Sequence, residues 1–169
     1  MYDLQQRLRK YALKGRWKYI DNFHLTLKFL DEISISQRQQ IDELMNRICA
    51  GQAQFKLEAA ELGIFPGKDS VRVLWLGLSG DIKHLRLFAG KIDSSLTEIG
   101  FQPEKRPYTP HITIGQDIIF ECPFEQIHES VGRINIGPVN VTQAALFKSE
   151  QIENKRIYTK ISEYDLKQR

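Results

Sequence analysis

The sequence predicts an α+β fold of antiparallel strands and a few amphipathic helices. Segments with an apolar period of two alternate with segments of period 3.6, and paired strands are separated by turn residues, unlike the strand–helix–strand units of a parallel sheet. The tetrad histidine, large aliphatic, threonine, large aliphatic also occurs twice, at His24 and again at His111, about half a chain length apart. This repetition predicts two similar lobes that face each other.

Three elements are predicted in the first third of the chain. A helix runs from Tyr2 to about Lys14 and ends at Gly15. Alternation from Trp17 to Leu30, interrupted at Asp21, predicts two short strands or one strand after a turn. A second helix follows, with Ser36 as its cap and Gln39 at the third helical position, the spacing of a capping box. Its buried stripe comprises Ile41, Leu44, Met45, Ile48 and Cys49.

The rest of the chain predicts two hairpins and two helices. The first hairpin joins Phe55–Phe65 to Val71–Leu78 through the turn residues 66–69. A helix from Asp81 is capped by Gly100, whose lack of a side chain permits left-handed backbone. The remaining predicted elements are a motif strand after Pro110, a short helix near Phe124–Val131, and a closing hairpin of Val139–Lys148 with Arg156–Ile161.

Composition sets bounds on the class of protein. The 169 residues carry a net charge of +3 and a pI of about 8.8, which permits an anionic ligand. Cys49 and Cys122 form no CxxC or multi-cysteine framework, so a reducing cytoplasm is expected. No window approaches 18 uninterrupted apolar residues, so neither secretion nor a membrane location is expected. No obligate protein partner is indicated.

Strand geometry separates each motif into an apolar face and a polar face. The predicted polar faces carry His24, Thr26 and Lys28 in the first motif, and His111, Thr113 and Gly115 in the second. The predicted core faces carry Leu25, Leu27 and Phe29, and Ile112 and Ile114. One histidine in a strand is usually structural, but a repeated histidine–threonine pair predicts that two imidazoles and two hydroxyls converge on one site. His84 and His128, in polar helical segments, are predicted to lie on the surface.

Two histidines with two hydroxyls suit acid–base displacement at phosphorus. One imidazole accepts a proton from the nucleophile and the other donates one to the leaving group. The hydroxyls donate hydrogen bonds to oxygens that gain negative charge. Neither motif offers an HxH or HExxH spacing, so we expect no metal and no cofactor.

The paired motifs resemble the 2H (two-histidine) phosphoesterase superfamily. The flanking sequence is similar to its RNA 2′,3′-cyclic phosphodiesterase branch, long called 2′-5′ RNA ligase. This similarity covers Arg16-Trp17, Asn22, Lys28-Phe29-Leu30, 63-GIFP-66, 72-RVLWLGL-78, 106-RP-107, Pro110 and 146-LFKS-149.

The resemblance implies a single bilobal domain over residues 1–169, with two pseudo-symmetric lobes of mostly antiparallel sheet, outer helices and a central cleft. It implies metal-independent hydrolysis of a terminal 2′,3′-cyclic phosphate, on RNA ends or nucleotides, to a 2′-phosphomonoester. His24 and His111 become the acid–base pair, and Thr26 and Thr113 the phosphate-oxygen donors. The resemblance favours His111 as the group that activates water and His24 as the acid, although the residues alone do not separate these roles.

Further substrate contacts are predicted at Lys28, on the first polar face, and at Gln116. Three aromatic residues near the motifs or the family sequence are candidates for stacking on a base: Phe65, Tyr108 and Phe147. Two alternatives to hydrolysis stay open, namely the reverse chemistry of RNA ligation and a weakly catalytic module that binds RNA ends.

The chain departs from its relatives at two places. Relatives commonly have an arginine just beyond the second motif, where this chain has Gly115-Gln116, so one charged phosphate contact becomes neutral. Relatives also begin with a short apolar strand before the first helix. Its absence here predicts an open sheet edge through which the chain could self-associate.

Overall fold

The computed structural model describes residues 1–132, 134, 136–153 and 155–168, and the predicted α+β class is confirmed. In chain order the described residues form α1 (Tyr2–Arg9), β1 (Ala12–Trp17), a short 3-10 helix (Ile20–Asn22), α2 (Ile35–Ala50), β2 (Phe55–Pro66), β3 (Val71–Gly80), α3 (Ile82–Glu98), β4 (His111–Phe120), α4 (Phe124–Val131), β5 (Val139–Val141), β6 (Gln143–Ile152) and β7 (Lys155–Asp165). They fold into two compact units, as the repeat predicts. Unit 1 comprises Met1–Thr26, Glu58–Ser79 and Pro110–Pro138, and unit 2 comprises Leu27–Leu57, Gly80–Thr109 and Val139–Arg169.

Unit 1 is a sheet with strand order β1-β4-β3-β2, covered on one face by α1 and α4. β4 pairs antiparallel with both β1 and β3. The alternation of β3 and β4 sends their aliphatic side chains to the covered face, where they meet the apolar stripes of the two helices. This core consists of Leu4, Leu8, Leu62, Leu74, Leu76, Ile114, Ile118, Ile127 and Val131.

A buried glutamine joins α1 to the sheet of unit 1. Gln5 is 2% exposed, and its side-chain amide donates to the carbonyl oxygens of Lys18 at 2.7 Å and of Ile114 at 3.1 Å. These bonds satisfy a polar group that would otherwise cost about 1–3 kcal/mol to bury. They also fix the chain between β1 and the first motif against β4.

Unit 2 contains α2, α3, the β6–β7 ribbon and β5, which pairs with the first three residues of β2. The guanidinium of Arg38 on α2 donates to the carbonyl of Ile161 at 3.0 Å, and the Tyr164 hydroxyl on β7 donates to Asp42. Burial, together with this bond, raises the pKa of Tyr164 above its ordinary value. The buried apolar residues of unit 2 are Ile41, Leu44, Met45, Ile48, Cys49, Phe55, Leu57, Leu85, Phe88, Ala89, Ile92, Leu96, Ala144, Tyr164 and Leu166.

The predicted first helix is too long. α1 ends at Arg9, and residues from Ala12 onward form β1 instead of continuing to Lys14. Gly15 therefore does not end a helix but lies inside a strand, where an added Cβ would stand 2.8 Å from the Ile118 side chain. Pairing with β4 outweighs the helical pattern of the local sequence.

The first motif is not part of a regular strand. Between Phe23 and Leu30 the described chain makes one isolated bridge, from Leu25 to Ile112. Phe29 is 73% exposed, so its predicted place on a core face is wrong. Alternation of residue types alone does not distinguish a strand from an extended segment held at one point.

Two further boundaries differ from the prediction. The cap of α2 is Ser34, with Gln37 completing the capping box, because the same serine-to-glutamine spacing occurs two residues before Ser36. The last hairpin is divided, since β5 pairs with β2 and β6 alone pairs with β7.

Several other predictions are confirmed. α4 has the predicted bounds, and Asp81 and Gly100 flank α3, with Gly100 at φ 97°. The turn between β2 and β3 is closed by the Gly67 amide, which donates to the Ser70 carbonyl at 2.9 Å. His84 and His128 are exposed.

Candidate active site

The two motifs meet in unit 1 through the antiparallel bridge between Leu25 and Ile112. Extending this antiparallel register by one residue on each side sets His24 against Thr113 and Thr26 against His111, which directs the four polar side chains to the face opposite to Leu25 and Ile112. The histidines are diagonal neighbours, for which Cβ atoms are typically about 7–8 Å apart. Both histidines and both threonines of the motifs belong to unit 1.

His111 is packed against two aromatic rings. Phe65 meets the imidazole edge to face, with ring centroids 5.3 Å apart and planes at 87°. The ring centroid of Trp75 lies 6.3 Å from that of the imidazole and 5.5 Å from that of Phe65. Since Trp75 is opposite Thr113 in the β3–β4 register, it stands on the motif face. The two rings restrict the orientation of the imidazole.

Two glycines make room for this aromatic pair. A Cβ at Gly63 would lie 2.1 Å from the indole of Trp75, far inside contact distance, so no larger residue fits there without moving the ring. Gly77 lies opposite His111, and its Cβ would meet the indole at 3.2 Å. The indole nitrogen of Trp75 is buried and has no hydrogen-bond partner among the described residues.

His24 is held by the backbone just before it. The distance from its Nδ1 to the Asn22 carbonyl oxygen is 2.8 Å. Because a carbonyl only accepts, Nδ1 must carry the proton, which leaves Nε2 as the basic nitrogen of the neutral ring. Burial lowers the pKa of His24, the bond to Asn22 opposes this, and the positive charge of Lys18 lowers it further. His24 is therefore mostly neutral at pH 7 in the ligand-free protein.

The other predicted contact residues divide between the units. Phe65 and Gln116 belong to unit 1, and Gln116 lies opposite Val73 on one side and Arg16 on the other. Unit 2 contains Lys28, Tyr108 and Phe147.

The predicted residues of unit 2 differ in their surroundings. The Lys28 side chain is 4% exposed, and its ammonium binds Asp93 and donates to the Gln102 carbonyl at 2.7 Å, which favours a structural role over a phosphate contact. Burial raises the pKa of the half-buried Tyr108, and Phe147 is 43% exposed.

Sequence reasoning missed Trp75 and Lys18 as parts of the site. Trp75 had a visible signal, since it alternates with Leu74 and Leu76, which are 0% and 1% exposed. A large aromatic residue between two core positions of a strand must point to the opposite face. Lys18 had no comparable signal, because its effect on His24 depends on the tertiary pairing with β4.

No three His, Cys, Asp or Glu side chains in the described part of the chain cluster in a way that could hold a metal ion. A pocket of about 300 Å³ in unit 1, lined by residues that include Ile64, Ile118 and Cys122, contains none of the motif residues. Within the described ranges, no helix is long and apolar enough to cross a membrane.

An α+β fold that brings two His-x-Thr-x motifs onto one face defines a two-histidine phosphoesterase. The chain belongs to the family of LigT-like phosphoesterases, whose sequence model matches residues 1–75 and again residues 76–158. Each matched half contains one motif, so the repeat extends beyond the two tetrads. The chain is therefore an enzyme, a hydrolase of the phosphoesterase class.

Known relatives cover most of the chain. An RNA 2′,3′-cyclic phosphodiesterase of Aeropyrum pernix is 31% identical over 145 residues, covering 85% of this chain and 81% of the relative. An RNA 2′,3′-cyclic phosphodiesterase of Methanocaldococcus jannaschii is 29% identical over 170 residues, covering 96% of this chain and 94% of the relative. The crystal structure of Escherichia coli LigT complexed with 3′-AMP has a TM-score of 0.75 at 25% identity, covering 98% of this chain and 92% of that one.

Proposed function

We propose that the protein hydrolyses a 2′,3′-cyclic phosphate at an RNA end or on a nucleotide to a 2′-phosphomonoester. The observation that carries this proposal is the bridge between Leu25 and Ile112, which implies that His24, Thr26, His111 and Thr113 share one face of unit 1. The names of the relatives support the same substrate class, and so does the complex of Escherichia coli LigT with a nucleotide.

The proposed reaction is an in-line displacement at phosphorus. A water oxygen forms a bond to phosphorus as the bond to the ribose 3′ oxygen breaks. One imidazole removes a proton from the water, and the other donates a proton to the departing 3′ oxygen. The hydroxyls of Thr26 and Thr113 donate hydrogen bonds to the non-bridging oxygens as their negative charge grows.

The roles of the histidines follow the family resemblance, with His111 as the base and His24 as the acid. His24 is mostly neutral in the ligand-free protein, so it must gain a proton when substrate binds. The anionic phosphate supplies a reason, because a negative charge nearby raises the pKa of an imidazole. The Phe65–Trp75 pair keeps His111 oriented for proton transfer from water.

Product analysis tests the proposed function. The full chain is incubated, in buffer with EDTA, with a short RNA ending in a 2′,3′-cyclic phosphate and with a second RNA carrying a 5′-hydroxyl. We expect an RNA ending in a 2′-phosphate, formed without added metal. Joined RNA would instead indicate the ligation chemistry, and binding without any product would indicate an RNA-end binding module. Activity lost in EDTA and restored by zinc or manganese would contradict the metal-independent mechanism.

A further inference from the structure

Lys14, Arg16 and Lys18 lie along β1 and the residue just after it, and we name them the cation row. We propose that the cation row binds the phosphodiester backbone of single-stranded RNA directly upstream of the terminal cyclic phosphate. This inference rests on the proposed function and extends it, because it names an oligonucleotide, and not a lone nucleotide, as the preferred substrate.

The cation row stands on the same face of the sheet as the motifs. Trp17 and Gly115 are paired on the core face, where a Cβ at Gly115 would lie 3.2 Å from the Trp17 ring. The neighbouring pair, Arg16 with Gln116, therefore points to the opposite face. Thr113 also points there, since Ile112 and Ile114 on either side of it pack in the core. A register shift between the Thr113 and Gly115 pairs of β3 and β4 interrupts the alternation, so Gly115 lies on the core face and its predicted place on the polar face is wrong.

The row ends next to the first motif. The backbone amide of Lys18 donates to the Ile114 carbonyl at 3.0 Å, which fixes the end of the row beside the second motif strand. The Lys18 charge is also close enough to act on His24. From there the row leads away from the histidines through Arg16 to Lys14.

Two of the three side chains are open to solvent. Lys14 is exposed, and the Arg16 side chain is 74% exposed. Arg16 is paired with Asp117, its Nε lying 3.0 Å from the carboxylate, and the Asp117 side chain is itself 48% exposed. Exposed ion pairs contribute only about 0–1 kcal/mol, so an RNA phosphate can compete for this guanidinium.

The spacing of the row fits a short stretch of nucleic acid. Side chains on one face of a strand repeat every two residues, about 6.6 Å apart, so the row spans about 13 Å. This is enough for two internucleotide phosphates beyond the terminal one. For single strands, log affinity falls with log salt concentration by about 0.7 per phosphate contact. Two such contacts therefore make the affinity fall about sevenfold between 50 and 200 mM salt.

The test compares a 2′,3′-cyclic mononucleotide with a trinucleotide that ends in the same cyclic phosphate, at 50 and 200 mM KCl. For the wild-type chain we expect a higher kcat/KM on the trinucleotide at 50 mM, and a preference that falls about sevenfold at 200 mM. The variant Lys14→Gln/Arg16→Gln should lose most of this preference and its salt dependence, while Lys14→Arg/Arg16→Lys should keep both.

A matched control removes the same charge elsewhere. Lys83→Gln/Arg86→Gln changes two exposed residues of α3 in unit 2 and should keep the trinucleotide preference. Melting temperatures of all variants show whether β1 stays folded. Equal kcat/KM of the wild type on both substrates at 50 mM, or an unchanged preference in the Lys14→Gln/Arg16→Gln variant, would overturn the proposal.

Failure of the proposed function would look different. If the wild type hydrolyses neither substrate, fluorescence anisotropy with a labelled trinucleotide still tests the row. Binding that weakens in Lys14→Gln/Arg16→Gln but not in the α3 variant would support RNA binding by the cation row, although the hydrolysis reaction had failed. Equal binding by all variants would refute the row as well.

Discussion

At the scale of single residues, the charge state of His24 depends on its burial and on Lys18. Replacing Lys18 by Gln removes one of the two causes that lower the pKa of His24, so this pKa should rise. It should remain below the ordinary value, because burial persists and is the larger cause. NMR titration of the imidazole proton signals measures the pKa, with His24 identified by its absence in His24→Ala.

The control for this titration is Lys83→Gln, which removes an exposed charge of unit 2 and should leave the pKa of His24 where it is. A His24 signal that titrates at or above the pKa of a free imidazole in the wild type would contradict the description of this residue. It would also remove the reason for proton uptake on substrate binding.

His24 and His111 could be identified from the sequence as candidate catalytic residues because they occur in a repeated pattern. His24 and His111 each start the same tetrad, in which a threonine follows two residues later. The supporting residues could not be found in this way. Gly63 tolerates no Cβ because of a ring on another strand, and Lys28 binds Asp93, 65 positions further along the chain. Such contacts exist only after folding.

At the scale of elements, the start of α2 is a direct test of the structure against the sequence pattern. The Ser34 hydroxyl accepts a hydrogen bond from the Gln37 amide at 3.1 Å, whereas Ser36 lies inside the helix. Ser34→Ala should lower the free energy of unfolding by about 1 kcal/mol. Ser36→Ala, the matched change at the cap predicted from sequence, should leave it the same or slightly higher. Equal losses in urea unfolding would contradict the assigned cap.

The contact between β2 and β3 beside His111 makes a second prediction. Ala at Gly63 must push the Trp75 indole away, and we expect this overpacking to cost about 1–3 kcal/mol of stability. Because Trp75 and Phe65 hold the imidazole, kcat should also fall, by up to about 100-fold for a displacement near 1 Å. Thermal unfolding and steady-state kinetics measure the two effects separately.

Gly90→Ala is the control for Gly63→Ala. Gly90 is exposed on α3 and a Cβ there meets nothing within 4 Å, so the change should stabilise the helix by roughly 1 kcal/mol and leave kcat unchanged. A Gly63→Ala variant with wild-type kcat would show that the aromatic pair does not position His111.

Elements with strong local signals were predictable, and elements defined by their partners were not. The apolar period and the end residues predict α3 and α4. Gly100 ends α3 with a left-handed backbone conformation, which glycine adopts readily. β1 and the division of β5 from β6 depend on which strand pairs with which. That choice lies in contacts distant in sequence, which no local pattern encodes.

At the scale of the whole molecule, the repeat in sequence and the units in space do not coincide. The family match divides the chain at residues 75 and 76, with one motif in each half. The compact units instead comprise three segments each, and unit 1 contains the histidine and the threonine of both motifs. The first half supplies β1, β2 and the start of β3 to the sheet of unit 1, and the second half supplies the rest of β3 and β4, so the sequence repeat and the compact units divide the chain differently.

The central claim is that His24 and His111 act together on one phosphate. The most direct measurement is kcat/KM on an RNA ending in a 2′,3′-cyclic phosphate for His24→Ala, His111→Ala and the double variant, with the exposed His84→Ala and His128→Ala as controls. Each single catalytic change should lower kcat/KM by about 10²–10⁴. The double variant should lose far less than the product of the two, because residues that act as a unit are not additive. The controls should match the wild type. Wild-type kcat/KM in either His24→Ala or His111→Ala would contradict the two-histidine mechanism.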